Sequence, residues 1–530
     1  MAPDILADPE TDPTATYAVE PALVRRLTAR VVCSPRPEHR LTHTPLGGAP
    51  LASLPLSTPD DVAVAVDGAR AAQRTWARTP MDVRERILLR YHDLVLERQV
   101  ELLDLIQLES GKTRRQAFEE VADVALVSRH YARRAAGYLR PRRRAGLLPL
   151  ATRTVEHRHP KGVVGVVSPW NYPLTLAVSD ALPALMAGNA VVLRPDLQSS
   201  LTALQAVALL TEAGLPESVL QVVLGEGATV GQAVVDHADY VSYTGSTATG
   251  RLVATSAAAR LVGCSLELGG KNSMYVAEDA DLDRAAARAV GACFSNAGQL
   301  CVAMERVIVH ESVADAFTER FVAAVRAMRL GSDLVFGFDM GSLVNAEQLR
   351  RVTEHVEDAR AKGAQVLTGG RARPDLGPFF YEPTVLTGVT AAMDVRDEET
   401  FGPVVSVYRV ESDEEAVRLA NDTDYGLNAA VFTRDVARGR RIAAAIAAGT
   451  VNINDGYGAA WGSTAAPMGG MKASGLGRRH GAEGITKYTE TQTVAAQRLI
   501  PLSPFAGMSD ETFASVFTGV LRALKASGRP

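Results

Sequence analysis

Three polar residues stand at turns where their side chains could do nucleophilic chemistry. Cys301 follows Gly298 and Gln299, whose turn could expose the thiol, and a thiolate is a strong nucleophile. Glu267 lies between apolar neighbours before a Gly-Gly turn, where a carboxylate could act as a base. Asn171 occupies a loop bounded by prolines after an apolar run. Structural roles stay open for each: a core thiol, a paired charge at a strand end and a turn-forming amide.

Two glycine-rich turns could hold the phosphates of a nucleotide. Residues 225–231 (GEGATVG) and 245–250 (GSTATG) each follow a strand-like run and open a helix-like run, although neither matches GxGxxG. A simple tight turn also explains either segment. The second favours a phosphate site more, because Ser246 and Thr247 stand at a predicted helix N-terminus, where backbone N–H groups attract anions.

The elements that position these residues alternate between strand and helix. Short apolar runs alternate with helix-like segments from about residue 162 to 260, and a second series begins near Asp279. This pattern predicts an α/β protein with two doubly wound domains and a cleft between them. Residues 58–138 predict three amphipathic helices, the last of which ends before Pro141. Residues 1–57 are predicted to be irregular.

Composition argues against several functional classes. The chain of 530 residues is too long for one compact core and predicts two or three domains. Its net charge of −4 gives no support for binding nucleic acid or a membrane surface. No apolar run reaches the ~20 residues that span a bilayer, and the first residues do not resemble a secretory signal. Four cysteines without metal-binding spacing predict free thiols in a cytoplasmic protein and no metal site.

Seven motifs occur in the order in which the aldehyde dehydrogenase superfamily carries them. They are SPWNYPL (168–174), GNAVVL (188–193), TGSTATG (244–250), LELGGKN (266–272), GQLC (298–301), EETFGPV (398–404) and GGMKASGLGRR (469–479). The chain resembles this superfamily from about Thr58 to about Val494. Within it, the chain is most similar to actinobacterial type-2 NADP⁺-dependent succinate-semialdehyde dehydrogenases.

The resemblance implies a role for each candidate residue. Cys301 would attack an aldehyde carbon to form a thiohemiacetal, and the Asn171 amide and the Cys301 backbone N–H would hold the oxyanion. Glu267 would activate the water that hydrolyses the resulting thioester, with a pKa raised by its apolar neighbours. The residues implied at a nicotinamide cofactor are Trp170, Arg194, Leu197, Ser246, Thr247, Leu268, Glu399 and Phe401.

One departure from the family pattern concerns the cofactor. The family's Lys-Pro-x-Glu reads here as Arg194, Pro195, Asp196 and Leu197. In NAD⁺ enzymes of the family that glutamate accepts hydrogen bonds from the adenosine ribose, which Leu197 cannot do. Arg194 could instead pair with a 2′-phosphate. These changes predict NADP⁺ as the preferred cofactor, with NAD⁺ as the alternative.

A second departure concerns the substrate. Ser179 and Ser295 stand where well-known succinate-semialdehyde dehydrogenases carry the two arginines that hold the distal carboxylate, and Met468 replaces a typical Phe. Either another loop binds the carboxylate, with Arg478 and Arg479 as candidates, or the substrate is an uncharged aliphatic or aromatic aldehyde. Succinic semialdehyde is the first expectation, and both alternatives stay open.

The resemblance also implies a division of the chain and an assembly. The predicted parts are a dinucleotide-binding domain (1–144 and 166–276), a catalytic domain (277–470), oligomerisation strands (145–165 and 486–500) and a C-terminal tail (501–530). The two strand segments are where the family exchanges strands between subunits, so a homodimer or homotetramer is expected.

Other classes remain as rivals. A CoA-acylating aldehyde dehydrogenase shares the fold but tends to lack a water-activating base, so Glu267 argues against it. A catalytically silent relative would have lost its nucleophile, whereas Cys301 is present.

Overall fold

This computed structural model describes residues 19–146, 152–331, 333–497, 503–504 and 507–528. Within these residues the strands are β1 (His39–His43), β2 (Pro50–Pro55), β3 (Arg142–Arg144), β4 (Thr152–Pro160), β5 (Val163–Ser168), β6 (Ala190–Pro195), β7 (Leu220–Val222), β8 (Tyr240–Thr244), β9 (Gly263–Glu267), β10 (Asn272–Val276), β11 (Met304–His310), β12 (Gln365–Thr368), β13 (Thr384–Thr387), β14 (Val404–Val410), β15 (Tyr425–Gly426), β16 (Asn428–Phe432), β17 (Thr450–Ile453), β18 (Met471–Lys472), β19 (Gly475–Leu476) and β20 (Thr489–Gln497).

The α-helices lie mostly between these strands. They are α1 (Pro21–Thr28), α2 (Pro59–Trp76), α3 (Met81–Glu97), α4 (Gln99–Ser110), α5 (Arg114–Leu139), α6 (Pro173–Val178), α7 (Ala181–Met186), α8 (Ser200–Glu212), α9 (Gln232–His237), α10 (Thr247–Ala259), α11 (Leu282–Phe294), α12 (Glu311–Arg326), α13 (Ala346–Ala361), α14 (Asp394–Asp397), α15 (Asp413–Asn421), α16 (Val436–Ala445), α17 (Gly458–Trp461), α18 (Gly481–Thr486) and α19 (Asp510–Ala526). Among the described residues, none of these helices has the length and apolar character needed to cross a bilayer.

The first large sheet has the order β19-β9-β8-β5-β6-β7. Strands β5 to β9 pair in parallel, and β19 joins the edge antiparallel to β9. Every residue of β5 and β6 is buried, as expected for parallel strands with helices on both faces. Because ligands of such sheets bind outside the carboxyl ends of the strands, this edge is where a cofactor is expected.

The second large sheet has the order β12-β13-β14-β11-β10-β16-β17. Its strands are parallel except for β12, which pairs antiparallel with β13 at one edge. A separate apolar core of Phe, Val, Ala and Met side chains packs around it. Two parallel sheets, each with its helices, confirm the predicted α/β class.

Two predicted boundaries are displaced from the strands. Strand β10 ends at Val276 but pairs in the second sheet, so the chain passes between the sheets at residues 268–271 rather than after 276. Strand β5 begins at Val163, inside the segment 145–165 that was predicted to mediate oligomerisation. In both places two short strands follow each other across a few residues, and no change of composition marks the crossing. The division into domains stays a prediction.

The ends of the chain contain more regular structure than predicted. Residues 1–57 were predicted to be irregular, yet α1 and the antiparallel hairpin β1–β2 lie within them; residues 1–18 are outside the described residues. The predicted tail contains α19, which has no buried residue, and residues 147–151 and 498–502 of the predicted segments also lie outside the description. Strands β3, β4 and β20 form a separate antiparallel sheet.

Candidate active site

A left-handed turn presents Cys301. Asn296 and Ala297 both have a φ of 53°, and Gly298 has a φ of 71°. Only glycine fits the third position, because a Cβ there would lie 2.0 Å from the carbonyl oxygen of Gly402. Non-glycine residues in this region store strain, which persists where the surrounding structure over-determines the backbone. The predicted turn before Cys301 is therefore present, and it leaves the thiol half-buried.

Glu267 ends β9, and its carboxylate is buried. Burial raises its pKa to about 7, while the positive charges of Arg479 and Lys487 oppose that rise. Its Oε1 atom is buried without a hydrogen-bond partner among the described residues. A carboxylate that titrates near neutrality is suited to accept and release protons. The predicted rise of the Glu267 pKa is confirmed.

The thiol of Cys301 shares a cavity of about 220 Å³ with Glu267. Burial raises the pKa of Cys301 to about 12, and the negative charges of Glu267 and Glu399 raise it further, whereas Arg479 lowers it. The thiol is therefore protonated at neutral pH in this state. Since only the thiolate is a good nucleophile, its activation needs a proton acceptor, and Glu267 lines the same space.

Asn171 lies on the loop after β5, beside the turn that carries Cys301. Its Nδ2 atom donates to the carbonyl oxygen of Gln299 at 3.1 Å, which leaves the second amide hydrogen for another acceptor. The Asn171 carbonyl oxygen in turn accepts from Nδ2 of Asn296 at 3.0 Å. The side-chain amides of Asn171 and Asn296 thus connect the two loops by hydrogen bonds, and Asn171 lies against the turn that carries Cys301.

A buried ion pair supports this loop, and the sequence analysis did not identify it. Lys112 donates from Nζ to Oε1 of Glu120 at 2.6 Å and to the Asn171 carbonyl oxygen at 2.8 Å. The other Glu120 oxygen accepts from the backbone N–H groups of Leu174 and Thr175, at the start of α6. Both charged side chains are fully buried. A carboxylate on the apolar face of α5 was the available signal, because unpaired buried charges are costly.

Eight of the eleven predicted catalytic and cofactor residues line the 220 Å³ cavity. They are Trp170, Asn171, Ser246, Glu267, Leu268, Cys301, Glu399 and Phe401. The other three, Arg194, Leu197 and Thr247, do not line it. Thr247 begins α10, and its hydroxyl donates to the Ala473 carbonyl oxygen at 3.2 Å.

The cavity has features that fit a nicotinamide dinucleotide. The rings of Trp170 and Phe401 meet edge to face with their centroids 5.7 Å apart, and they form apolar walls. The carboxylate of Glu399 accepts from the Gly270 backbone N–H at 2.8 Å. Ser246 caps the N-terminus of the thirteen-residue helix α10, whose free N–H groups favour a phosphate.

Arg194, at the end of β6, is buried rather than displayed. Its Nε and Nη2 atoms donate to the Gly225 carbonyl oxygen at 2.9 and 2.6 Å. The remaining nitrogen, Nη1, lies 3.8 Å from the carboxylate of Asp196. Leu197 is buried one residue further on. Two nitrogens of the guanidinium are thus bound to one carbonyl oxygen, and the third lies near Asp196, which precedes α8.

Two residues of α13 line the cofactor cavity without having been predicted. Gln348 donates from Nε2 to the carbonyl oxygens of Thr400 and Phe401, at 3.1 and 2.6 Å. Arg351 donates to the carbonyl oxygen of Glu399. Both fix the backbone of the EETFGPV motif from a distant helix, and local sequence pattern carries no signal for such a contact.

A second cavity, of about 680 Å³, lies beside Ser295, at the start of the turn that leads to Cys301. Ser295 lines it together with Glu119 of α5, Tyr457 and Trp461. The Tyr457 hydroxyl is 2.9 Å from Oγ of Ser295 and 3.1 Å from Oε2 of Glu119. Because Tyr457 and Trp461 pack on the same apolar cluster as Cys301, this cavity is the candidate entry for a second ligand.

The two serines at the expected arginine positions both lead to carboxylates. Ser179 donates from Oγ to Oδ2 of buried Asp123 at 2.8 Å, and Ser295 is joined to Glu119 through Tyr457. At both positions the structure therefore places a hydroxyl that leads to a carboxylate, where a cation was expected for a carboxylate substrate.

The two alternative arginines are engaged elsewhere. Arg478 donates from Nη1 to the carbonyl oxygens of Gly470 and Gly477, at 3.0 and 2.7 Å. Arg479 is buried, with Nη2 lying 3.3 Å from the carboxylate of Asp180. Neither of them lines the 680 Å³ cavity. Among the described residues there is also no cluster of side chains that could hold a metal ion.

Comparison with known proteins identifies the family. Residues 34–494 match the model of the aldehyde dehydrogenase family. A protein of Mycolicibacterium smegmatis, provisionally named succinate-semialdehyde dehydrogenase [NADP(+)], is 54% identical over 478 residues, which are 90% of this chain and 92% of that protein. Betaine aldehyde dehydrogenase 1 of rice, Oryza sativa, is 37% identical over 90% of this chain and 93% of its own length.

Solved structures agree with this match. An NADP-dependent enzyme of E. coli superimposes with a TM-score of 0.83 at 34% identity, covering 87% of this chain and 95% of its own. Betaine aldehyde dehydrogenase of Staphylococcus aureus, solved in complex with NAD⁺, superimposes with a TM-score of 0.85 at 30% identity, covering 92% and 98%. The chain therefore belongs to the aldehyde dehydrogenase family and is an enzyme that oxidises a small-molecule aldehyde to the carboxylic acid.

Proposed function

We propose that this enzyme oxidises its aldehyde with NADP⁺ through a covalent intermediate on Cys301, and that succinic semialdehyde is its substrate. The observation that carries the proposal is the shared cavity of Cys301, Glu267 and Asn171, bordered by the residues suited to a nicotinamide. Glu267, with a pKa of about 7, accepts the proton of the Cys301 thiol. The thiolate then forms a bond to the aldehyde carbon and gives a thiohemiacetal.

Asn171 and the Cys301 backbone hold the oxygen of this adduct. One hydrogen of the Asn171 amide is free for it, because the other is donated to Gln299. Fixed donors placed where negative charge develops lower the barrier, since they need no reorganisation during the reaction. A nicotinamide held beside Trp170, Glu399 and Phe401 would supply the hydride acceptor, and loss of hydride from the adduct would leave a thioester on Cys301. Glu267 first releases the thiol's proton to solvent and then takes a proton from water; the resulting hydroxide adds to the thioester, the C–S bond breaks, and the carboxylic acid leaves while Cys301 returns as the thiolate.

The cofactor preference follows from the adenosine end. Arg194 is anchored by Gly225, and its Nη1 lies 3.8 Å from the Asp196 carboxylate, so it brings a fixed positive charge next to Asp196. Leu197 has no side-chain atom that could accept a hydrogen bond from a ribose 2′-hydroxyl, so this position does not favour the binding of NAD⁺. The name of the M. smegmatis relative also indicates NADP⁺. NAD⁺ is kept as a second cofactor.

Succinic semialdehyde is proposed from the relatives rather than from the pocket. The proteins of M. smegmatis and Mycobacterium tuberculosis that match at 54% and 51% identity carry this substrate in their provisional names. A specific observation favours a second candidate, an aldehyde without a carboxylate. Ser179 and Ser295 are tied to Asp123 and Glu119, so neither of these two positions supplies the positive charge that would hold a carboxylate of the substrate.

A substrate and cofactor panel tests both levels of the proposal. Purified enzyme is given NADP⁺ or NAD⁺ with succinic semialdehyde, butanal and 4-aminobutanal, and reduced nicotinamide is followed by absorbance with and without CoA. We expect CoA-independent turnover, faster with NADP⁺ and fastest with succinic semialdehyde. Faster turnover of butanal or 4-aminobutanal would select the second candidate.

Two cysteine variants test the covalent step. Cys301→Ala should abolish turnover with every aldehyde, because no thioester can form. Cys264→Ala is the matched control, since this half-buried thiol lies on the same β9 strand as Glu267 but outside the cavity. Residual turnover by Cys301→Ala that matches the parent would refute the proposed mechanism, and strict CoA dependence would indicate a CoA-acylating enzyme.

We also propose that the enzyme works in the cytoplasm as a homodimer or homotetramer. Strand β20 forms an edge of its sheet and is exposed from Glu490 to Ala496, so outer backbone groups of these residues can pair with another subunit. The four cysteines are free, which suits a reducing compartment. Light scattering coupled to size exclusion measures the assembly, and a monomer would refute it.

A further inference from the structure

A buried cluster of charges lies behind Glu267, and the proposed chemistry does not use it. Asp180, between α6 and α7, lies 3.3 Å from Nη2 of Arg479 and 3.4 Å from Nζ of Lys487. All three side chains are at most 10% exposed. Two positive charges and one negative charge leave this cluster with a net positive charge. Burying such a set is costly, so its retention needs a reason beyond stability.

The backbone around the cluster packs it against the Glu267 carboxylate. Arg479 and Met468 exchange backbone hydrogen bonds of 2.6 and 2.9 Å, which fixes the segment that carries Arg479 beside Gly469. A Cβ at Gly469 would lie 2.9 Å from Oε1 of Glu267. The glycine therefore lets this segment approach the carboxylate closely.

The lysine of the cluster reaches the strand of Glu267 itself. Lys487 donates from Nζ to Oγ of Ser265 at 3.1 Å, two residues before Glu267 on β9. Strand β9 is also held by β19, where Gly475 pairs with Glu267. The cluster is therefore connected to this strand by the Lys487 hydrogen bond, and the strand's edge neighbour β19 precedes Arg479 in the chain.

Two buried polar atoms in this region have no hydrogen-bond partner among the described residues. They are Oε1 of Glu267 and Nη2 of Arg479. Oε1 of Glu267 is thus left without a donor in the described part of the chain, and Nη2 of Arg479 has the Asp180 carboxylate at ion-pair distance but makes no hydrogen bond to it. In an interior of low dielectric the field of such charges acts over several ångströms and favours the opposite charge.

We propose that Arg479 is a positioning residue that keeps Glu267 ionised and Cys301 able to lose its proton, and that Asp180 sets how strongly it does so. The inference rests on the proposed roles of Glu267 and Cys301. It assigns Arg479 to the control of the base, so that Arg479 does not serve as a carboxylate holder for the substrate.

The charges that face the base support opposite effects of the two residues. Burial raises the Glu267 pKa, the positive groups lower it and Asp180 raises it. For Cys301, burial, Glu267 and Glu399 raise the pKa, and Arg479 lowers it. The charged groups acting on Glu267 are Arg478, Arg479, Lys487 and Asp180; Arg479 is additionally faced by Asp123 and Tyr488, while His480 is neutral because burial lowers its pKa to about 3.

The test is the pH dependence of thioester hydrolysis in single-charge variants, followed by rapid mixing. Hydrolysis should fall as pH drops through the Glu267 pKa, because the protonated carboxyl cannot accept a proton. Arg479→Gln should move this limb to higher pH by about one unit or more. Asp180→Asn should move it to lower pH, and Arg479→Lys should leave it near the parent position because the charge is kept.

A second readout reports on the thiol directly. The rate of Cys301 alkylation by iodoacetamide against pH measures the thiolate fraction, and it needs neither cofactor nor turnover. Arg479→Gln should shift this profile to higher pH as well. The double variant Asp180→Asn with Arg479→Gln removes one charge of each sign, so it gives a folded comparison if Arg479→Gln alone fails to fold.

Opposite shifts from Arg479→Gln and Asp180→Asn support the inference, since a purely structural role predicts lower rates without a shift of either limb. The inference would be overturned if the pH profiles of both variants coincide with the parent profile or shift in the same direction. Cys301→Ala and Glu267→Gln run alongside to separate the two proposals. If Cys301→Ala still oxidises aldehyde, the proposed function fails; if it is inactive and the limbs coincide, only the role of Arg479 fails.

Discussion

Removal of the Lys112 charge should both destabilise the enzyme and slow its chemistry. The Nζ atom of Lys112 has three partners, namely the Glu120 carboxylate at 2.6 Å, the Asn171 carbonyl oxygen at 2.8 Å and the face of the Tyr172 ring at 3.7 Å. Burial lowers the pKa of Lys112 and raises that of Glu120, so these contacts offset a large desolvation cost. Lys112→Met keeps the length of the side chain and leaves Glu120 buried without its cation.

The magnitude follows from the cost of an unpaired buried charge. Breaking a fully buried pair from one side costs about 3–5 kcal/mol. At roughly 2 °C per kcal/mol for a large domain, the apparent Tm should fall by about 6–10 °C. Loss of the hydrogen bond to the Asn171 carbonyl oxygen also leaves Asn171, whose amide is the proposed oxyanion donor, without its support. Loss of an oxyanion donor lowers kcat by about 10²–10³.

Thermal unfolding by intrinsic fluorescence and initial rates at saturating substrate measure the two effects. Lys112→Met with Glu120→Gln should recover much of the lost Tm, because the buried charge is gone, but little of kcat, because Asn171 is still unsupported. Lys362→Met is the matched control: this exposed lysine pairs with Asp358 at 2.5 Å, and such a surface pair contributes about 0–1 kcal/mol. Unchanged Tm and kcat in Lys112→Met would refute the reasoning.

Two further predictions concern the base and the cofactor. Glu267→Gln should lower turnover by about 10²–10⁴. It should also slow the alkylation of Cys301 at neutral pH, because the thiol loses the carboxylate that accepts its proton, and faster alkylation would contradict this account. Leu197→Glu should weaken NADP⁺ binding by roughly 10–100-fold relative to NAD⁺ through repulsion of the 2′-phosphate. Tryptophan fluorescence titration measures both affinities, and equal affinity losses in the control Leu197→Gln would argue against repulsion.

The candidate catalytic residues were predictable because each lies in a short motif that the chain shares with its family. Asn171 and Glu267 stand at the carboxyl ends of β5 and β9, whereas Cys301 lies in the turn between α11 and β11, and the structure brings all three to one cavity. Parallel strands end at the same edge of a sheet, so residues that follow them converge without any further information. The alternation of strands and helices likewise predicted both large sheets, since period and length are local properties of the chain.

The supporting residues could not be predicted in the same way. Lys112 and Asn171 are 59 positions apart, and Gln348 reaches backbone more than 50 positions away. Such contacts depend on how whole elements pack, which composition and spacing do not record. Arg194 shows the same limit for orientation: its type favoured a phosphate partner, yet two of its nitrogens are bound to the Gly225 carbonyl oxygen.

Buried charge explains why these supports matter for function. The candidate catalytic groups are themselves costly to ionise. Burial raises the pKa of both Glu267 and Cys301, which favours their neutral forms. An enzyme that needs the ionised forms must therefore supply opposite charge nearby, and a surface residue screened by water cannot do so. Arg479 is buried, its charge lowers the pKa of both groups, and it is itself paired with Asp180. We therefore expect the buried charges around this site to allow the Cys301 thiol and the Glu267 carboxylate to exchange a proton near neutral pH.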